Sequence, residues 1–179
     1  IDVSGSMNSP YKLPLVKSSL KLLVKQLKPT DRIAIVVYAG NAGLVLKSTP
    51  CTQKTKILDA IDRLEAGGST AGGEGINLAY KIAAENYVKE ENNRVILATD
   101  GDFNVGVTSD AALVNLIERK RKSGVYFSIL GFGTGNYQDA KMEKISNAGN
   151  GNYFYIDRLS EAKKAFVTEL SGSLYAIAK

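Results

Sequence analysis

Residues 94–101 read Arg-Val-Ile-Leu-Ala-Thr-Asp-Gly, a mostly apolar run that stops at an Asp-Gly turn. A short, nearly unbroken apolar run bounded by turn residues is the pattern of a strand that meets water on neither face. Three other segments repeat it. Arg32–Ala39 reads RIAIVVYA and ends at Gly40, Val125–Leu130 reads VYFSIL and ends at Gly131, and Asn152–Ile156 reads NYFYI. Gly43–Leu46 is shorter and is expected as an edge strand.

Helical periods fill the intervals. From Leu13, apolar residues recur at Val16, Leu20, Leu23, Val24 and Leu27, while Lys17, Lys21, Lys25 and Lys28 fall on another face and are expected to meet solvent. Ile57, Ile61 and Leu64 mark a second helix, and Ile76, Ala79, Tyr80, Ala83 and Tyr87 a third. A fourth begins at Ala112 with Ser109 or Asp110 as its cap, a short fifth carries Met142 and Ile145, and a sixth is predicted over Leu159–Ile177. Strands separated by helices predict an α/β domain whose mainly parallel sheet is covered by helices on both faces. In such sheets ligands bind beyond the carboxyl ends of the strands.

Composition narrows the chemistry. The chain has 179 residues, expected to form a single domain over 1–179, with no histidine, one cysteine and no tryptophan. Without histidine there is no Ser-His-Asp or Cys-His relay. One cysteine makes neither an internal disulfide nor a cysteine-rich zinc site. A metal here would be held by oxygen, which selects hard cations such as magnesium, calcium or manganese. The net charge is +5, and the longest basic run, Arg119–Lys122, falls where a helix ends, so it reads as a solvated cationic last turn and no nucleic-acid partner is expected. No apolar stretch approaches the ~18 residues needed to span a bilayer, so direct membrane insertion is not expected.

The strand-end loops carry the functional signal. Asp2-Val3-Ser4-Gly5-Ser6 places oxygens at alternate positions around a glycine turn. Gly67-Gly68-Ser69-Thr70 precedes the third helix, and Thr99-Asp100-Gly101 closes the strand quoted above. Asp2, Ser4, Ser6, Thr70 and Asp100 together offer two carboxylates and three hydroxyls. Singly, each is an ordinary cap or turn residue.

Taken together and in this order, DVSGS, GGST and ATDG resemble the metal-ion-dependent adhesion site of von Willebrand factor type A domains, and the resemblance extends over nearly the whole chain. It implies a Rossmann-like fold with one antiparallel edge strand. It implies that Ser4, Ser6 and Thr70 bind a divalent cation directly, with Asp2 and Asp100 binding it directly or through water. Magnesium is the expected ion, with manganese or calcium as alternatives. Neutral hydroxyls leave the charge of such an ion uncompensated, so it keeps an affinity for an anionic oxygen, and a partner protein's Asp or Glu would complete its shell. The expected function is therefore a non-enzymatic, metal-dependent protein-binding module. Its bacterial look adds an expectation of an extracytoplasmic or envelope-associated parent. Two alternatives stand beside it, a metal-assisted hydrolase or phosphatase and a structural domain whose degenerate site binds nothing. The DVSGS loop lacks the second carboxylate that a phosphoryl-transfer loop would use.

Other residues carry weaker expectations. Glu74 suits a helix start, Asp102 and Asn104 are expected in a solvated loop with the rim of the site as the alternative, Asn8 and Tyr11 are candidates to touch a ligand, and Cys51 would be a small buried filler. Gly131-Phe132-Gly133-Thr134-Gly135 lacks the spacing of a nucleotide loop and is placed at the rim opposite the metal. Members of the family precede the first aspartate with an apolar central strand, whereas only Ile1 precedes Asp2 here. The chain is therefore expected to begin inside a longer natural domain, as a fragment of a larger protein, with its first strand truncated and the DVSGS loop displaced or mobile.

Overall fold

The computed structural model describes residues 1–68, 72–101, 110–133 and 139–166, and every structural statement below concerns those residues. The elements are α1 (Leu13–Gln26), β1 (Arg32–Tyr38), β2 (Ala42–Pro50), α2 (Lys54–Asp62), α3 (Gly72–Glu85), β3 (Arg94–Thr99), α4 (Asp110–Arg121), β4 (Tyr126–Phe132), α5 (Asp139–Ala148), β5 (Tyr153–Ile156) and α6 (Leu159–Lys164). The predicted strands appear within a residue or two, and the edge strand is longer than expected, Ala42–Pro50. For the sixth helix, Leu159–Lys164 is described, while Leu170, Leu174 and Ile177 lie outside the described residues, as does Ser109, one of the two candidate caps.

β3, β4 and β5 form a parallel sheet, while β1 and β2 pair antiparallel. Ile1–Val3 joins the two. The Tyr38 amide donates to the Ile1 carbonyl (3.0 Å) and the Val3 amide to the Tyr38 carbonyl (3.0 Å) on one side. On the other, the Asp2 amide donates to the Ala98 carbonyl (2.8 Å). The order across the molecule is thus β2, β1, the Ile1–Val3 stub, β3, β4, β5, with Asp2 bridging parallel to Tyr38.

Side-chain alternation assigns the faces. Ile96 and Ala98 of β3 and Leu130 and Phe132 of β4 pack with Val16, Val24, Ile57 and Phe166 on the side of α1, α2 and α6. Val95, Leu97, Phe127 and Ile129 pack with Ile76, Tyr80, Leu113, Ile117 and Met142 on the side of α3, α4 and α5. This period of two, apolar toward both faces, is why the strands read as continuous apolar runs. The lysine stripe of α1 is not purely solvated: Lys17 donates to the Asp62 carbonyl (3.0 Å) and Lys21 pairs with the Asp62 carboxylate, tying α1 to the last turn of α2.

Beside Ile1 a cavity of about 590 Å³ is lined by Ile33 and Ile35 of β1, Val95 and Leu97 of β3, and residues of α1 and α3. The Ile1 nitrogen donates to the Val36 carbonyl at 2.8 Å, a further backbone tie between the stub and β1.

Candidate metal centre

Three backbone bonds fix the loop that follows the stub. The Gly67 amide donates to the Val3 carbonyl (2.7 Å), the Gly5 amide to the Gly68 carbonyl (3.0 Å), and the Met7 amide to the Ser4 carbonyl (3.0 Å). Gly68 turns with φ +83°, a conformation that a side chain would strain, and it brings the 67–68 segment against the DVSGS loop. Contrary to the expected displacement, the loop is stitched to its neighbours despite the short strand.

Asp2 is fully buried at the centre of this arrangement. One carboxylate oxygen accepts the Ser4 amide (2.9 Å). The other accepts the Tyr38 hydroxyl (3.2 Å) and the Thr99 hydroxyl (3.2 Å). Three elements thus converge on one side chain: the stub, the end of β1 and the end of β3. Burial first, then the Asp2 charge, push the Tyr38 phenol well above its ordinary range, so it stays protonated and keeps donating. Gly75 of α3 makes this possible. A Cβ there would lie 2.7 Å from Cδ1 of Tyr38, so only glycine lets the helix pack against the ring.

On the solvent side, the Ser4 and Ser6 hydroxyls are 3.1 Å apart, Ser4 buried and Ser6 exposed. Asp100 follows β3, with its carboxylate buried, and pairs with the Lys12 ammonium at 2.8 Å. The same ammonium donates to the Ser6 carbonyl at 3.0 Å. Asp2, Ser4, Ser6 and Asp100 are therefore brought together at the carboxyl ends of the stub and β3. Thr70 lies outside the described residues, as do Ser69, Asp102 and Asn104. Glu74 sits exposed in the first turn of α3, Cys51 is buried without a disulfide, and Tyr11 is 60% exposed near the rim. Gly133 lies beside the Lys12 side chain, and Thr134 and Gly135 of the glycine-rich stretch lie outside the described residues.

The donor set suits a hard divalent ion. It consists of carboxylate, hydroxyl and carbonyl oxygens, without sulfur or imidazole. A stand-in cation, the Lys12 ammonium, already rests on two of these groups. No group of three or more His, Cys, Asp or Glu residues placed to hold a metal occurs among the described residues, and among them Asp2 and Asp100 are the carboxylates that the site brings together with hydroxyls.

Sequence reasoning passed over Tyr38, Thr99, Gly75 and Lys12. Thr99 stands next to a residue it did select, and a polar residue at the inward end of an apolar strand was a usable signal. Lys12 also left a trace: a cation at the amino end of a helix opposes the helix dipole, so helix stability does not account for it.

The comparisons agree with this architecture. The sequence profile of the von Willebrand factor type A domain matches residues 1–168, and the chain belongs to that family. It is 49% identical over 179 residues to the uncharacterized protein YfbK of Escherichia coli strain K12, covering 100% of this chain and 31% of that protein. The chain thus spans about a third of the length of that relative. Among solved structures, the von Willebrand factor type A protein of Catenulispora acidiphila superposes with a TM-score of 0.79 at 23% identity, covering 97% of this chain and 41% of the other, a likeness of fold. Proximal thread matrix protein 1 of the mussel byssus, with a zinc-occupied MIDAS motif, superposes with a TM-score of 0.68 at 29% identity, covering 93% of this chain and 43% of that one.

The contacts around Asp2 predict a measurable dependence. Tyr38→Phe removes one of the three donors to a buried carboxylate and should lower unfolding free energy by about 1–3 kcal/mol. Gly75→Ala should cost a similar roughly 1–3 kcal/mol by displacing the Tyr38 ring. Urea denaturation reads both; a loss below a few tenths of a kcal/mol for Gly75→Ala would show that the ring yields without consequence.

Proposed function

We propose that this domain is a non-enzymatic, metal-dependent protein-binding module. In this reading Asp2, Ser4, Ser6, Thr70 and Asp100 hold a divalent cation, magnesium in preference to manganese or calcium, and a partner protein supplies an Asp or Glu oxygen to it. The observation that carries the proposal is the convergence of Asp2, Ser4, Ser6 and Asp100 at adjoining strand ends with a cationic side chain already seated on the oxygens. The metal-occupied motif of the byssus protein supports a divalent ion in this family without fixing which ion is used here.

The residues divide the work. Asp2 has three bonds on its two oxygens, close to the roughly four that a carboxylate accepts, which suits holding the loop and acting through water. Ser4 and Ser6 present neutral oxygens, and Asp100 supplies a second negative charge. When bound, the ion supplies an electrophilic coordination position for an external carboxylate. With no histidine in the chain and the nearby lysine engaged with Asp100, the residues favour gripping an anionic side chain over proton transfer to a substrate. Among the described residues no helix is long and apolar enough to cross a membrane. Envelope association, part of the proposal through the resemblance to bacterial members, is tested by fractionating cells that express the full-length protein.

Calorimetric titration of the full-length protein with magnesium and with manganese tests the site. Saturable one-to-one uptake is expected, lost or weakened by roughly tenfold or more in Asp100→Ala and Asp2→Ala. Absence of uptake, or equal uptake by all three proteins, would overturn the proposal. Appearance of metal-dependent phosphate-ester hydrolysis, abolished by Asp2→Ala, would replace it with a hydrolase.

A further inference from the structure

Lys12 stands where helix stability does not ask for it. It is the N-cap of α1, its side chain makes no capping bond, and its charge lies at the positive end of the helix dipole. Its side chain instead leaves the helix and reaches across the loop. The stem passes Gly133 at the end of β4, where a Cβ would come within 3.4 Å of Cε. The carbonyl of Gly133 is fixed in turn by the Tyr155 hydroxyl at 2.6 Å. So guided, the ammonium donates to the Asp100 carboxylate (2.8 Å) and the Ser6 carbonyl (3.0 Å). It is partly exposed, whereas the carboxylate it covers is buried, with relative side-chain exposures of 28% and 1%. A buried carboxylate requires a countercharge, and Lys12 supplies one from the more exposed side of the pair.

We propose that Lys12 is a tethered competitor of the divalent cation: its ammonium neutralises Asp100 when no metal is bound, and metal uptake requires it to leave that carboxylate. The proposal rests on the reading of the site as a divalent-cation centre and adds its regulation. An ammonium and a divalent ion cannot both take the same short contact with Asp100 without strong like-charge repulsion, so the two cations exclude one another there. The arrangement also ties occupancy to α1. The side chain displaced belongs to that helix's N-cap residue, at the start of the helix that carries Val16 and Val24 into the core.

Manganese titration by calorimetry, with thermal melts in chelator and in saturating manganese, tests this on the wild type and on Lys12→Met, which keeps an apolar stem and removes the charge. Lys12→Gln serves as a second neutral variant if Lys12→Met does not fold. Competition predicts that the neutral variant binds manganese roughly tenfold more tightly than wild type, since one opposing cation has been removed. It also predicts a lower melting temperature in chelator and a larger rise on adding manganese. Equal or weaker manganese binding by the neutral variants, with wild-type binding intact, would overturn the competition while leaving the metal site standing. Absence of manganese binding by the wild type and both variants would overturn the metal site itself, and the competition with it.

Discussion

The buried carboxylate of Asp2 is the constraint on which the rest of this structure depends. It has no contact with water, so its charge must be met inside the protein. Three donors meet it, and they come from different parts of the chain: the Ser4 amide one turn on, the Tyr38 hydroxyl at the end of β1 and the Thr99 hydroxyl at the end of β3. The same three-residue stub that carries Asp2 bridges β1 to β3 through its backbone. One side chain therefore organises the loop geometry and helps close the junction between two strand pairings that otherwise share no ladder. The packing of α3 meets the same group, since Gly75 makes room for the Tyr38 ring whose hydroxyl donates to Asp2.

The solvent side of the same loop shows a different balance. Asp100 has almost no exposure, and it forms an ion pair with a partly exposed lysine at 2.8 Å. The donors to Asp2 belong to the loop and to the ends of β1 and β3, whereas the ammonium on Asp100 sits at the end of four rotatable bonds. On the proposed reading as a cation site, one aspartate is secured from behind and the other carries a countercharge that a metal would replace. Lysine suits the second task because its compact charge forms no bidentate clamp.

How much of this was legible in the sequence depends on the range of each interaction. The strands were readable because both faces of the sheet are covered, which leaves unbroken apolar runs such as Arg94–Thr99 and Tyr126–Phe132. The helices of α1 and α3 were readable from local period. The site was readable as three loops only because their order matched a family pattern; nothing local to Asp2 announces that its oxygens face Tyr38, 36 residues away, or Thr99, 97 residues away. Tyr38 looked like the last apolar residue of a strand, and its hydroxyl became functional only through the parallel pairing of the stub. The lysine stripe of α1 does stay at the surface, and what local reading could not supply is the pairing of Lys17 and Lys21 with Asp62, which tertiary packing brings beside them.

Lys12 shows how a local misfit can point to such a long-range contact. By the rules of helix ends the position calls for Ser, Thr, Asp or Asn, whose oxygen would satisfy the first amides of α1. A lysine gives up that bond and sets its charge against the dipole. Such a departure persists where another interaction outweighs it, and here that interaction lies 88 residues away at Asp100. The contact belongs to neither the helix nor the strand but to the relation between them, set by the sheet order and by the stem's path along Gly133. The helix that follows Lys12 thus begins beside the mouth of the site, with an ion pair across the loop in place of a side-chain cap on its own first turn.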